Sequence, residues 1–213
     1  MWLSEVLGIE EAILAEGQAD KAELLERLRQ EVFRCQKCRL YKTKRNYVFG
    51  AGNPYAEIMF VGEAPGGEED KQGIPFVGRA GKLLTKLLEE IGYTREQVYI
   101  ANVLKCRPPQ NRDPRQDEIA ACSPYLDSQI KIIQPKVLCA LGRFAAVFLL
   151  GKQIPLSQMR MKVHETRYGA KLIVTYHPAA VLRNPRLMDS ARRDFAMLKA
   201  VVEGEGIDSS RLP

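Results

Sequence analysis

The stretch KVLCALGRFAAVFLL runs from Lys136 to Leu150. It contains the longest apolar run of the chain, and its reading decides the fold. As a membrane span it fails, because it is too short for a bilayer core and Arg143 interrupts it. Divided at Gly142, it reads as a strand, VLCAL, followed directly by a helix, RFAAVFLL. A strand that is apolar at every position is buried on both faces. That pattern belongs to a parallel sheet covered by helices on either side.

The same alternation extends outward in both directions. IMFVG (58–62), VYIANV (98–103) and KLIVTY (171–176) are three further strands, giving four in all. Between and around them lie helical patterns. Residues 20–33 place Leu24, Leu25, Leu28 and Val32 on one face, with Asp20 as N-cap. GRAGKLLTKLLEEIGY places Leu83, Leu84, Leu87, Leu88 and Ile91 on a stripe that Gly92 ends. EIAACSPYLDSQIKII predicts a broken helix, with Ser123 capping a new one and Pro124 in its first turn. Residues 187–202 close the fold as a helix, with Leu187, Ala191, Phe195, Leu198 and Val202 inward. PPQNRDP (108–114) cannot be regular, because its prolines fix φ and remove donors.

The 213 residues suit one elaborated domain with a real core, and 46% are hydrophobic. Thirty-two basic residues against 26 acidic ones give a net charge of +6, a mild preference for an anionic partner such as nucleic acid. MWLSEVLGIEEA lacks the basic head and apolar run of a secretion signal, so the expected location is the cytoplasm, without membrane contact. Thiols stay reduced there, and the five cysteines are not expected to form a disulfide framework.

Ligands of parallel α/β sheets bind beyond the carboxyl ends of the strands. Three polar stretches fall there: GEAPGGEED after the first strand, Asn102 at the end of the second, and HPAAVLR after the fourth. His177, one of two histidines, opens the last stretch on a proline-stiffened loop; His164, without such a context, reads as surface. Cys35 and Cys38 form a CxxC, and Cys106 and Cys122 follow far along the chain. Four cysteines suffice for a zinc or an iron–sulfur site, and the spacing does not separate the two. Cys139, inside VLCAL, reads as a small buried hydrophobe.

GEAPGGEED, IPFVGRAGKLL, ANVLKCRPPQNRDP and HPAAVLRNP, in that order behind a CxxC, resemble the family 4 uracil-DNA glycosylases. The resemblance covers roughly residues 22–203, leaving 1–21 as an N-terminal extension and 204–213 as a flexible tail. It implies a three-layer α/β/α sandwich with a central four-stranded parallel sheet. It also implies a structural [4Fe–4S] cluster on Cys35, Cys38, Cys106 and Cys122. The implied activity is DNA repair by a monomer. Uracil is flipped out of DNA and its N-glycosidic bond is hydrolysed, leaving an abasic site. A replication or repair protein is the expected partner of the N-terminal extension.

The resemblance also distributes roles. His177 donates to a uracil carbonyl as charge develops, and Glu63 orients the water or stabilises the cationic sugar. Gly62, Pro65, Gly66 and Gly67 let main-chain amides approach the base. Ala64 stands where the family 1 pattern has an aspartate. Asn102 reads the uracil edge with one donor and one acceptor, and Phe76 stacks on the ring. Glu69 stands where other families exclude thymine with a tyrosine. Val181 and Leu182 wedge into the vacated stack, Arg183 holds phosphate, and Lys82, Asn111 and Arg112 add DNA contacts.

The competing reading is a non-catalytic iron–sulfur or zinc DNA-binding module. It accounts for the basic patches and cysteines but leaves Glu63, Asn102 and His177 without a purpose. A phosphate-binding nucleotide enzyme is disfavoured, since GEAPGG matches neither the P-loop nor GxGxxG.

Overall fold

A computed structural model describes residues 20–204, and nearly all of the expected tail and of the N-terminal extension lie outside them. Four strands run parallel: Ile58–Gly62, Tyr99–Asn102, Val137–Leu141 and Lys171–Thr175. They are the four read from the sequence. Two two-residue strands add antiparallel edges, Ala51–Gly52 beside Tyr99–Asn102 and His164–Glu165 beside Lys171–Thr175. The sheet therefore has six strands rather than four. In chain order these are β1 (51–52), β2 (58–62), β3 (99–102), β4 (137–141), β5 (164–165) and β6 (171–175), and their spatial order is β1-β3-β2-β4-β6-β5.

Alternate residues of each strand feed two separate cores, as strand geometry requires. Met59, Val61, Leu138, Ala140, Leu172 and Val174 face one side. There they meet α1 (Lys21–Phe33), the later helix Gln116–Ile133 and the helix Arg143–Leu150. Ile58, Phe60, Ile100, Cys139 and Ile173 face the other side, where Leu84, Leu88, Phe195 and Leu198 cover them. The result is the expected three-layer sandwich. The remaining helices are α2 (Gly67–Gln72), α3 (Arg79–Glu90), α6 (Leu156–Met159), α7 (Pro178–Arg183) and α8 (Met188–Val202). Gln116–Ile133 is α4 and Arg143–Leu150 is α5.

Three local expectations need correction. Helix α4 is continuous, and Pro124 lies inside it rather than starting a new helix. Burial of Tyr125, Leu126, Ile130 and Ile133 holds the helix together across the missing donor. His164 is not a surface histidine. It is half-buried in β5, and its Nε2 lies 2.7 Å from the Met159 carbonyl oxygen. PPQNRDP contains one short 3₁₀ turn, Pro109–Asn111, with Gln110 and Asn111 at φ 57° and 54°. Asp20 does cap α1, accepting from the Ala22 amide at 3.0 Å, and Gly92 follows the end of α3 at φ 85°.

Register brings the strand ends level. Gly62 lies opposite Asn102, and Leu141 opposite Thr175. The segments leaving β2, β3 and β6 thus emerge on one rim of the sheet.

Candidate active site

An open pocket of about 380 Å³ occupies that rim. Glu63, Ala64, Pro65 and Gly66 line it from β2, Asn102 from β3, and His177, Ala179 and Arg183 from the β6–α7 segment. Glu69, Phe76 and Asn111–Asp113 complete much of the wall. Five separate stretches of sequence therefore converge on one cavity.

Asn102 ends a fully buried strand and is itself 1% exposed. Its Oδ1 is buried and accepts no hydrogen bond. An orphaned buried acceptor carries a desolvation cost unless a ligand supplies a donor. Beside it, Gly62 is essential in shape: a Cβ there would lie 2.3 Å from Asn102 Oδ1 and 2.6 Å from Phe76 Cζ. Phe76 belongs to the core and to the pocket wall at once.

His177 is the N-cap of α7, and its Nδ1 accepts from the Ala179 amide at 3.1 Å. Burial, with the Arg183 charge adding to it, pushes its pKa down to about 4. The ring is therefore neutral at pH 7 with its proton on Nε2. Capping and function are not alternatives here, since the cap fixes the tautomer that leaves Nε2 as a donor. Gly142, at φ 90°, makes room for the His177 main chain and Cβ, because a Cβ there would lie 3.0 Å from His177 Cβ. The Phe76 and His177 rings lie 5.6 Å apart between centroids.

Burial, and then the negative charge of Asp113, pushes the Glu63 carboxyl up to about 7, against an opposing pull from Arg143. Such a group changes charge near neutral pH, a property that clusters at functional sites. Glu69 Oε1 accepts from the amides of Val77 at 3.0 Å and Gly78 at 2.8 Å, so this carboxylate braces the wall that carries Phe76.

The residues expected to face DNA divide. Leu182 is 38% exposed, but Val181 is 1% exposed and packs in the core, so only Leu182 is placed to act as a wedge. On a helix of six residues, neighbours point about 100° apart, and one of the pair must face inward. Arg183 is exposed at the pocket edge. Arg112 lines the pocket, but its guanidinium is committed to Glu118 through two bonds of 2.9 and 2.5 Å. Lys82 is exposed on α3 and does not line the pocket.

Cys35, Cys38, Cys106 and Cys122 all line a second cavity, walled by Val32, Leu40, Tyr47, Leu104 and Tyr125. Burial raises the thiol pKa values of Cys38, Cys106 and Cys122, the last to about 12. Among the described residues, no group of three or more His, Cys, Asp or Glu side chains is arranged to hold a metal ion. Lys105, 1% exposed, lies between the two cavities. Its Nζ donates to the Asn102 carbonyl at 2.8 Å and to Gln129 Oε1 at 2.6 Å, and its amide donates to Cys122 Sγ at 3.2 Å.

Comparison with known proteins agrees with this geometry. The model of the uracil DNA glycosylase superfamily matches residues 49–201. The chain is 51% identical over 183 residues to the type-4 uracil-DNA glycosylase of Sulfurisphaera tokodaii, spanning 82% of this chain and 83% of the relative. It is 52% identical over 180 residues to that of Archaeoglobus fulgidus, spanning 81% and 90%. Against that of Thermotoga maritima the identity is 46% over 189 residues, spanning 87% and 98%. The chain belongs to the type-4 uracil-DNA glycosylases.

Several residues of the glycosylase site escape sequence reasoning. Asp113 follows two expected DNA contacts, and only its place on the pocket wall shows its influence on Glu63. Gly81 sits against Phe76, where a Cβ would meet the Phe76 carbonyl oxygen at 1.8 Å. Gly142 acts through main-chain geometry, which leaves no side-chain pattern to read.

Proposed function

We propose that this protein flips uracil out of DNA and hydrolyses its N-glycosidic bond, releasing free uracil and leaving an abasic site. The observation that carries this reading is the orphaned Asn102 Oδ1 beside the Phe76 ring. That acceptor is matched by a base with an N3–H, which uracil has and cytosine lacks. A site built to bond a missing donor rejects the analogue strongly. Phe76 supplies the stacking face. Glu69, held rigid through Oε1, is the wall that excludes the thymine methyl group.

In the reaction, water oxygen bonds to C1′ as the bond from C1′ to N1 breaks, the electron pair leaves on the uracil, and the proton the water sheds ends, by way of solvent, on the uracil anion. Neutral His177 donates from Nε2 to a uracil carbonyl as that charge grows. Glu63, once ionised, orients the water and offsets the positive sugar. Leu182 fills the vacated stack and Arg183 holds a phosphate.

A [4Fe–4S] cluster on Cys35, Cys38, Cys106 and Cys122 is part of the reading. Four thiols line one largely apolar cavity and are the donor type such clusters take, and they would draw together around a bound cluster from the wider spacing seen here. When bound, the cluster supplies a structural cross-link between the segment after α1, the segment after β3 and helix α4. Lys105, whose amide donates to Cys122 Sγ and whose Nζ donates to the Asn102 carbonyl, would link a cluster ligand to the end of β3. The cytoplasm, which keeps thiols reduced, is the matching compartment.

The test is a single-turnover assay on an oligonucleotide carrying one uracil, beside the same strand with thymine or cytosine, followed by alkali. Cleavage of the uracil strand alone supports the reading. Binding of the uracil strand without cleavage, by protein with its full iron content, overturns it in favour of a non-catalytic module.

A further inference from the structure

Phe76 stands in a conformation that its own side chain resists. Its φ of 53° lies in the left-handed region, which residues other than glycine occupy only when their surroundings hold them there. Those surroundings are specific. Arg95, on the loop between α3 and β3, donates from Nη1 to the Phe76 carbonyl at 2.9 Å and from Nη2 to the Pro75 carbonyl at 2.7 Å. On the far side, Glu69 takes the amides of Val77 and Gly78. Four consecutive residues are thus gripped by a cation at their carbonyls and an anion at their amides.

The grip places the ring. Phe76 lies against Gly62 and 5.6 Å from the His177 ring, on the wall of the pocket. Without the guanidinium, two half-buried carbonyls lose their donors and the strained φ loses its restraint. The residue then relaxes toward negative φ, and the ring turns away from Gly62. A planar guanidinium fork suits two neighbouring carbonyls, whereas a lysine ammonium is a point charge on a flexible stem. Half-buried and spent on main-chain oxygens, Arg95 is poorly placed to touch DNA.

We infer that Arg95 is a positioning residue for base recognition, holding Phe76 in the strained conformation that presents its ring to the flipped uracil. The inference rests on the reading of Phe76 as the stacking partner. Arg95 acts on the base only through that ring, so its effect must vanish when the ring is gone.

The experiment compares the parent protein with Arg95→Ala, Arg95→Lys, Phe76→Ala and the double variant Arg95→Ala/Phe76→Ala. The readouts are the single-turnover rate on a uracil oligonucleotide, inhibition by free uracil, and the thermal midpoint. Arg95→Ala should slow excision and weaken uracil inhibition about tenfold, within the range that base–aromatic stacking spans. Arg95→Lys should fall between it and the parent, and it serves as the test variant if Arg95→Ala does not fold. In the Phe76→Ala background, loss of Arg95 should change either activity readout by less than about twofold, the signature of coupled residues. Equal effects of Arg95→Ala in both backgrounds, or unchanged uracil inhibition on its own, overturn the inference. A full effect of Phe76→Ala with none from Arg95→Ala overturns it alone. No effect of Phe76→Ala overturns the stacking reading as well.

Discussion

Gly62 and Asn102 face each other across β2 and β3 so closely that a methyl group on the glycine would sit 2.3 Å from the asparagine Oδ1. The same methyl would lie 2.6 Å from the Phe76 ring. Gly62→Ala must therefore displace Asn102, Phe76 or both. Overpacking of this kind typically costs about 1–3 kcal/mol. The expected outcome is a folded protein with a lower thermal midpoint and a single-turnover rate reduced by roughly 10²-fold, the scale of losing a well-placed catalytic group.

In the proposed reaction His177 donates as a neutral ring, so its protonation should set no limit on the rate between pH 5.5 and 8. Removing such a donor costs about 10²–10³ in rate. His177→Ala should show that loss at every pH in the range. A deficit that appears only at the acidic end would contradict the neutral-donor role.

Glu63 sets the opposite expectation. Its carboxyl ionises near 7, so the single-turnover rate should rise with pH through neutrality and then level off. Glu63→Gln should lower and flatten the profile. Stability moves the other way. The folded chain binds this proton more tightly than an unfolded chain with its carboxyl near 4.5. The contribution is therefore present below about 4.5 and lost as pH rises through about 7. Urea titrations should show a shallower decline over that window in Glu63→Gln than in the parent.

Arg112 and Arg183 both line the pocket, yet only one is free to meet phosphate. Removing Arg112 leaves the Glu118 carboxylate, whose side chain is 0% exposed, with only the Arg115 amide as donor. Arg112→Ala should lower the thermal midpoint and scarcely alter the salt dependence of DNA binding. Arg183→Ala should leave the thermal midpoint in place and reduce the salt slope by about 1. Denaturation and binding titrations on the two variants separate these roles.

Cys122→Ser is expected to lose iron and the visible absorption of a cluster, together with several degrees of thermal midpoint, because metal binding is linked to folding. The parent protein, purified anaerobically, should carry about four iron atoms per chain. A full complement of zinc in place of iron would rule out the cluster assignment.

The four parallel strands are legible because each is built on a short apolar run, as VLCAL shows. The rim position of Glu63, Asn102 and His177 followed from strand polarity alone. Other features depend on what packs against them. Val181 and Leu182 are chemically alike, and only the core beneath α7 decides which one points outward. Arg112 pairs with Glu118 across a turn, outside the three- and four-residue spacing a helix would reveal. Pro124 breaks a local rule that burial on both sides of it overrides. Arg95 has main-chain oxygens as partners, and these carry no sequence signature.

The two shortest strands have a consequence of their own. A parallel sheet ends at each side in a row of unpaired amides and carbonyls, an invitation to any passing extended chain. Here β1 and β5 turn antiparallel and occupy those rows for two residues each. Gly52 fits so tightly that a methyl group on it would lie 2.0 Å from the Val98 carbonyl oxygen. These small hems close the lateral borders over that length to strand-by-strand accretion. The open face of the molecule is left at the strand ends, where the pocket lies.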